Sequence, residues 1–250
     1  MIVCDLTSIL NPPISATGGY ADDVFLAAED EDDLQRLAYE FTKAAEELNM
    51  IISCEKSKTM VFAKEPIRCK IVINGKILEQ VSRFIYLGVT VSSERCIVEE
   101  VRTQAHKAAK IGGSLRDIVW NNKTMSHKAK TRIYKACVRP VLTYAAETRA
   151  ETSTTKRMAR TTEMRILRSI KGITLRDHVR SSDIREELEV QDVVRWVRAR
   201  RRFWRDHVER MPDERLAKWA ETQKPSTRRP LGRPPKRWKE SWNSLSQETQ

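Results

Sequence analysis

The sequence predicts an α+β chain, with short antiparallel strands and one helix up to about residue 92 and helices alone from about 96 to 222. Three observations predict it. In the first part, turn-forming residues bracket short apolar runs. Beyond residue 96, apolar residues recur at three- and four-residue spacing. From Gln223 onward the composition turns to Pro, Arg, Lys and Ser with no apolar period, which reads as a basic, largely flexible tail over 223–250. The 250 residues suit one or two compact units, and a hydrophobic content of 40% is enough for a core.

The elements follow in order. Tyr20-Ala21-Asp22-Asp23 is a tight polar point, and Val24-Phe25-Leu26-Ala27-Ala28 is an apolar run, which together predict a hairpin with a buried outgoing strand. Leu34, Leu37, Ala38, Phe41, Ala45 and Leu48 then mark one face of a helix, with the acids of Glu29–Asp33 at its amino end, where the helix dipole favours them. Residues 59–63 and 70–73 read as strands, and Asn74-Gly75 is a strong hairpin turn. Phe84–Val91 is a further strand-like piece. Ile97, Val101, Ala105, Ala108, Ile111, Leu115 and Ile118 form an amphipathic stripe that Gly112-Gly113 should weaken. Ser126 suits the cap of a helix carrying Ala129, Ile133 and Cys137, which Pro140 should close or kink. Further helices are expected over about 154–170, with Met158, Thr161, Arg165 or Ile166 and Ile170 near one face, from Ser182-Asp183, and over about 191–210.

The formal net charge is +12, and it is unevenly spread. Residues 1–50 hold two basic and eleven acidic side chains, residues 101–149 eleven basic and two acidic, and residues 150–250 add 25 basic against 15 acidic. Such opposed blocks fit a metal-binding region near a phosphate-binding surface, and equally an internal charge complementarity. Five widely spaced cysteines give no disulfide framework and no CxxC zinc spacing, which predicts an intracellular protein, nuclear or cytoplasmic, without a disulfide-linked partner and without zinc. No apolar run reaches the length that spans a bilayer, so no membrane partner is expected.

Asp22 and Asp23 are adjacent on a predicted turn. Along a regular strand they would face opposite ways, but a hairpin turn lets both approach one hard divalent cation. Paired aspartates also occur on turns for purely conformational reasons. The surrounding sequence decides how the pair is read. Tyr20-Ala21-Asp22-Asp23 and the apolar residues after it, Leu48-Asn49-Met50 through Lys56-Ser57-Lys58-Thr59, Phe84-Ile85-Tyr86-Leu87-Gly88, Tyr144-Ala145-Ala146-Glu147-Thr148, Trp204-Arg205-Asp206-His207-Val208-Glu209-Arg210-Met211 and Gly232-Arg233-Pro234-Pro235-Lys236-Arg237-Trp238 occur in that order. Together, over about residues 20–238, they resemble the carboxy-terminal part of the reverse transcriptases of retrotransposons without long terminal repeats, of the endonuclease–reverse transcriptase type.

This resemblance implies a partial right-hand polymerase palm over 1–92, thumb helices over 96–150, a helical extension over 151–222 and the basic tail. It implies two-metal nucleotidyl transfer from a deoxynucleoside triphosphate to a primer 3′-hydroxyl on an RNA template in the full-length parent, with Mg²⁺ as the cofactor. Asp22 and Asp23 would be the catalytic metal ligands, Lys56 and Lys58 would lie near the nucleotide, and Tyr86, Leu87 and Gly88 would form the primer grip. Lys107, Lys110, Arg116, Lys128 and Arg132 of the thumb, with Arg228, Arg229, Arg233, Lys236 and Arg237 of the tail, would contact the nucleic-acid backbone. Lys123, Lys130, Lys135 and Arg139 are further candidates on the same helices.

Departures from the family pattern are visible. Only 19 residues precede Tyr20, so the palm box with its further aspartate is not seen upstream, and the expectation is a fragment unable to polymerise alone. Ala145 and Asp206 stand where glycine is usual. A non-catalytic nucleic-acid-binding module and a structural helical interaction protein remain the alternatives.

Overall fold

In a computed structural model of the chain, the described residues are 2–4, 16–63, 67–93 and 97–222. Asp5 and the tail residues Arg228, Arg229, Arg233, Lys236, Arg237 and Trp238 lie outside them. The described residues divide into two compact units, one holding those up to 93 together with 213–222, the other 97–212. The architecture is mixed α+β, with short strands first and helices after.

The first unit is built on a five-stranded sheet. Strands β1 (Ile2–Cys4), β2 (Ala16–Tyr20), β3 (Asp23–Ala28), β4 (Lys58–Val61) and β7 (Glu79–Gln80) are ordered β2-β3-β1-β4-β7. Two short antiparallel hairpins accompany it, β5 (Val72–Ile73) with β6 (Lys76–Ile77) and β8 (Arg83–Tyr86) with β9 (Val89–Ser92). The expected all-antiparallel sheet is corrected here. β2 and β3 pair antiparallel, but β1–β3, β1–β4 and β4–β7 are parallel. For β3 and β4, which run the same way on either side of β1, the reason is the connection. Helix α1 (Glu31–Glu47) lies between β3 and β4 and returns the chain to the end of the sheet where β3 began, as crossover helices do.

α1 forms as its sequence dictates. The Asp30 carboxylate caps it by accepting from the Asp33 amide at 2.8 Å, and Glu31, Asp32 and Asp33 occupy its first turn. Leu34, Ala38, Thr42 and Ala45 are buried, whereas Leu48 is exposed because the helix has ended before it. The core of this unit gathers Leu26, Leu34, Ala38, Cys69, Ile71 and Leu78. Gln35 ties the helix to β5 from both sides, its side chain accepting from the Val72 amide and donating to the Val72 carbonyl. The Asn74-Gly75 turn is left-handed at both residues, at φ 51° and 73°.

In the second unit α2 (Ile97–Ser114), α3 (His127–Ile133), α4 (Arg139–Leu142), α5 (Ser153–Lys171), α6 (Ser181–Glu187) and α7 (Val193–Glu209) contribute to one core around Tyr134, Leu167, Ile170, Ile184 and Val193. Helix α8 (Leu216–Thr222) belongs to the first unit. Three expectations about the buried faces are corrected. Beyond α2 a π-helical turn over Arg116–Trp120 rotates the chain, so Val119 and Trp120 are buried and Ile118 is exposed. A second π-helical turn over Tyr134–Val138 precedes Pro140, which has no N–H to give to a preceding carbonyl. It buries Tyr134 and Val138 and leaves Cys137 exposed. On α5 the buried stripe runs through Glu163, Met164, Ile166, Leu167 and Ile170, with Thr161 and Arg165 on the outside.

Gly112 acts as a packing residue. A Cβ there would lie 3.0 Å from Ile166 Cγ1, and its carbonyl accepts from Trp120 Nε1 at 2.7 Å. Gly112, one of the two glycines that weaken helix propensity, lets α2 and α5 approach, while Gly113 faces open space.

Candidate nucleic-acid and metal site

The Ala21-Asp22 turn joins β2 to β3 through a Tyr20–Asp23 pair. Ala21 is left-handed at φ 51°, a conformation costly for a residue with a Cβ. The result is a two-residue hairpin tip with Asp22 at the turn, Asp23 at the first position of β3, and both side chains exposed. Directly behind the tip, Phe25 lies across the neighbouring strand. A Cβ on Gly18 would fall 2.3 Å from Phe25 Cε1, so glycine at 18 makes room for the ring. Phe25 meets Tyr86 edge to face, with ring centroids 6.1 Å apart. The Tyr86 hydroxyl donates to the Asp23 carbonyl at 3.3 Å. Burial, and then the Asp23 carboxylate, raises the Tyr86 phenol above its ordinary value. Leu87 and Gly88 form the β8–β9 turn, at φ 47° and 78°.

β3 and β4 run parallel, so the start of β4 lies toward the same end of the sheet as the hairpin tip. Lys58 opens β4 and donates to Glu79 Oε2 at 2.6 Å. Lys56 is exposed on the preceding loop, where its amide donates to Ser53 Oγ at 3.4 Å.

The donor chemistry at the tip is two hard carboxylates open to solvent. That set fits Mg²⁺, which accepts one or two carboxylates while keeping several waters. Among the described residues, no three His, Cys, Asp or Glu side chains gather to hold a metal ion. β1, the strand on the inner side of β3, is Ile-Val-Cys and brings no carboxylate, and its Cys4 pairs with Ala28 at the far end from the tip.

In the helical unit Lys107, Lys110, Arg116, Lys123, Lys128 and Arg132 are exposed. Three other cations of that region are committed internally. Lys130 is buried and donates to the Trp120 carbonyl at 2.7 Å, Lys135 donates to the Glu189 carbonyl at 2.8 Å, and the Arg139 guanidinium lies 4.7 Å from the centroid of the Trp196 ring. His207 stands 5.6 Å from Trp204, ring to ring, and Cys54, Cys69 and Cys137 are free thiols.

Over 238 residues the chain is 24% identical to an uncharacterized transposon-derived protein of Caenorhabditis elegans, a match spanning 89% of this chain and 82% of that one. The similarity gives the chain a transposon-associated origin. No family model matches the sequence, and no solved structure matches it. Among the described residues no helix is long and apolar enough to cross a membrane.

Two side chains that organise the helical unit carry no motif in the sequence. Arg201 is buried on α7 and clamps the 144–149 segment, with Nε and a terminal nitrogen on the Ala146 carbonyl at 3.1 and 2.9 Å and a further bond to the Arg149 carbonyl at 3.0 Å. Arg149 in turn pairs with Glu100 at 3.2 Å, and burial pushes both guanidiniums down and the Glu100 carboxyl up. Ala145 in this segment is left-handed at φ 52°, which explains why glycine suits that position.

Glu163 is fully buried on α5. It accepts from Tyr134 Oη at 3.3 Å and from Arg185 Nε and a terminal nitrogen at 3.0 and 2.7 Å. Arg185 also pairs with Asp192 at 3.1 Å, and Asp192 both caps α7 and holds Arg160. The signal that could find them is register: Arg201 shares a face with Val194, Val197 and Val208, and Glu163 with Ile166, Leu167 and Ile170.

Proposed function

We propose that the chain is a retrotransposon reverse-transcriptase fragment that retains the hairpin of the catalytic aspartates and the nucleic-acid-binding helices, and that does not polymerise by itself. The observation that carries the reading is the meeting of two motifs 63 residues apart: Tyr86, from the primer-grip box, rests its hydroxyl and ring on the hairpin that presents Asp22 and Asp23. A primer end placed by the Tyr86-Leu87-Gly88 turn is thereby brought near the two carboxylates. The transposon-associated similarity supports the same origin.

Asp22 and Asp23 are the residues that would hold Mg²⁺, which when bound neutralises nucleotide phosphates. Lys56 and Lys58 stand as candidates for the incoming nucleotide, with Lys58 already shared with Glu79. Among the described residues nothing encloses the two exposed carboxylates in the dry setting that two-metal transfer requires, which supports the inactive reading. Lys107, Lys110, Arg116, Lys128 and Arg132 bind the backbone of an RNA–DNA or DNA duplex without choosing sequence.

A binding titration tests this part. Affinity for a duplex should fall steeply with salt, and replacing Lys107, Lys110 and Arg116 by Gln should flatten the dependence by about 0.9 for each phosphate interaction removed. Equal slopes for the two proteins would remove these residues from the reading.

A further inference from the structure

We infer that the outer face of α5 is a second phosphate-binding surface, a groove for a polynucleotide backbone separate from the thumb residues Lys107, Lys110 and Arg116. Two open grooves meet there at Arg160 and Thr161. One extends toward Ser153 and the other toward Ser181, the latter enclosing about 600 Å³. Lys156, Arg157, Arg160, Arg165, Arg168 and Arg198 line them, and no acidic side chain does.

The arrangement follows from the helix. Positions 157, 161, 165 and 168 are spaced by four, four and three residues, so Arg157, Thr161, Arg165 and Arg168 project along one side of α5. Ile166 and Ile170 lie on the opposite side, in the core, and Arg160 stands at the edge of the basic face. From 157 to 168 that face runs about 16 Å at 1.5 Å per residue.

Arg160 is held by Asp192, and Lys156 and Arg198 approach Glu151 at 3.9 and 3.5 Å. Arg157 and Arg165 are exposed, and their side chains enter no ion pair or hydrogen bond among the described residues. Arg168 donates to the Val179 carbonyl at 3.3 Å, while its Nε is shielded from solvent without an acceptor. A row of guanidiniums with hydroxyls beside it, open along its length, suits an extended polyanion whose charges repeat regularly. Met164, Ile173 and Leu175 also line the groove toward Ser181, so an acidic peptide is the competing occupant, and the continuous row of guanidiniums along 157–168 favours the polynucleotide.

The partner class is shared with the proposed function, but the residues are different, so the two can fail separately. The test uses the full chain and fluorescence anisotropy with a labelled single-stranded RNA and a labelled DNA duplex across a salt series. Arg157→Gln with Arg165→Gln should make the log–log salt slope shallower by about 1.4 on the single strand or about 1.8 on the duplex. Arg157→Lys with Arg165→Lys should keep the slope. Both positions are exposed, so the melting curve should be unchanged, which separates loss of binding from loss of fold. An unchanged slope in the Gln variant on both nucleic acids overturns the groove, even if the Lys107, Lys110 and Arg116 set still matters. Displacement of RNA by polyglutamate at equal charge concentration overturns the assignment to a polynucleotide.

Discussion

Replacing Gly18 by alanine should loosen the β2–β3 hairpin without touching either aspartate. The added Cβ would sit 2.3 Å from Phe25 Cε1 and 2.6 Å from Cζ. Restoring ordinary contact at about 3.4 Å requires the ring to retreat by about 1.1 Å, the difference between 3.4 and 2.3 Å. The ring is also the partner of Tyr86, so its retreat disturbs an aromatic contact worth about 0.5–1.5 kcal/mol. With the overpacking itself, the expected cost is about 1–3 kcal/mol. Hydrogen exchange resolved by peptide is the suitable assay, because it reads β3 separately from the helical unit. Where β3 exchanges by opening of the first unit, its amides should exchange about 5- to 150-fold faster in Gly18→Ala, with peptides of α5 unchanged. Phe25→Leu removes the clashing ring atoms, so in that background Gly18→Ala should cost much less. Equal exchange of β3 in wild type and Gly18→Ala would refute the close approach on which the hairpin's packing is argued.

Other perturbations have defined outcomes. Ala145→Gly relieves a left-handed alanine and should stabilise the helical unit by about 0.5–1 kcal/mol in urea unfolding; a decrease in stability would contradict the strain. Glu163→Ala strands Tyr134 and one side of Arg185 in the core and should cost about 3–5 kcal/mol, with Glu163→Gln costing less, both read from thermal melts. Burial opposes the charge on Asp192, but the Arg160 hydrogen bonds, Arg185 and the α7 amides outweigh it and hold its carboxyl below the usual range. A depressed folded-state value means that the unfolded chain binds the proton more readily, so this stabilisation is complete above the unfolded value and is lost as pH falls through the folded one. Asp192→Asn should therefore flatten the acid limb of a stability–pH curve, and an unaltered limb would count against the network.

How much of this was legible in the sequence differs by element. The hairpins at Ala21-Asp22 and Asn74-Gly75, the cap at Ser126 and helix α1 follow from local chemistry, because turns and caps are decided within a few residues. Strand direction in the main sheet does not follow, since it depends on which strands become neighbours after α1 has crossed over. The helix faces at Ile118 and Cys137 depart from the expected ones because a π-helical turn shifts the register by one residue, and periodicity counted at 3.6 residues has no means of showing it. At the candidate site, the aspartates and Tyr86 are visible as motifs, while the ring contact that joins them depends on the glycine at 18. Arg201 and Glu163 are hidden by their charge, which argues for the surface until their register on a buried face is counted.

Primer extension tests the central claim most directly. The full chain, Mg²⁺, deoxynucleoside triphosphates and a DNA primer annealed to an RNA template are combined, with Asp22→Asn alongside, and binding of the same duplex is measured by anisotropy. The expected result is duplex binding that weakens with salt and no extension by either protein. Magnesium-dependent extension that Asp22→Asn abolishes would contradict the inactive fragment, and absence of duplex binding at low salt would contradict the nucleic-acid reading itself.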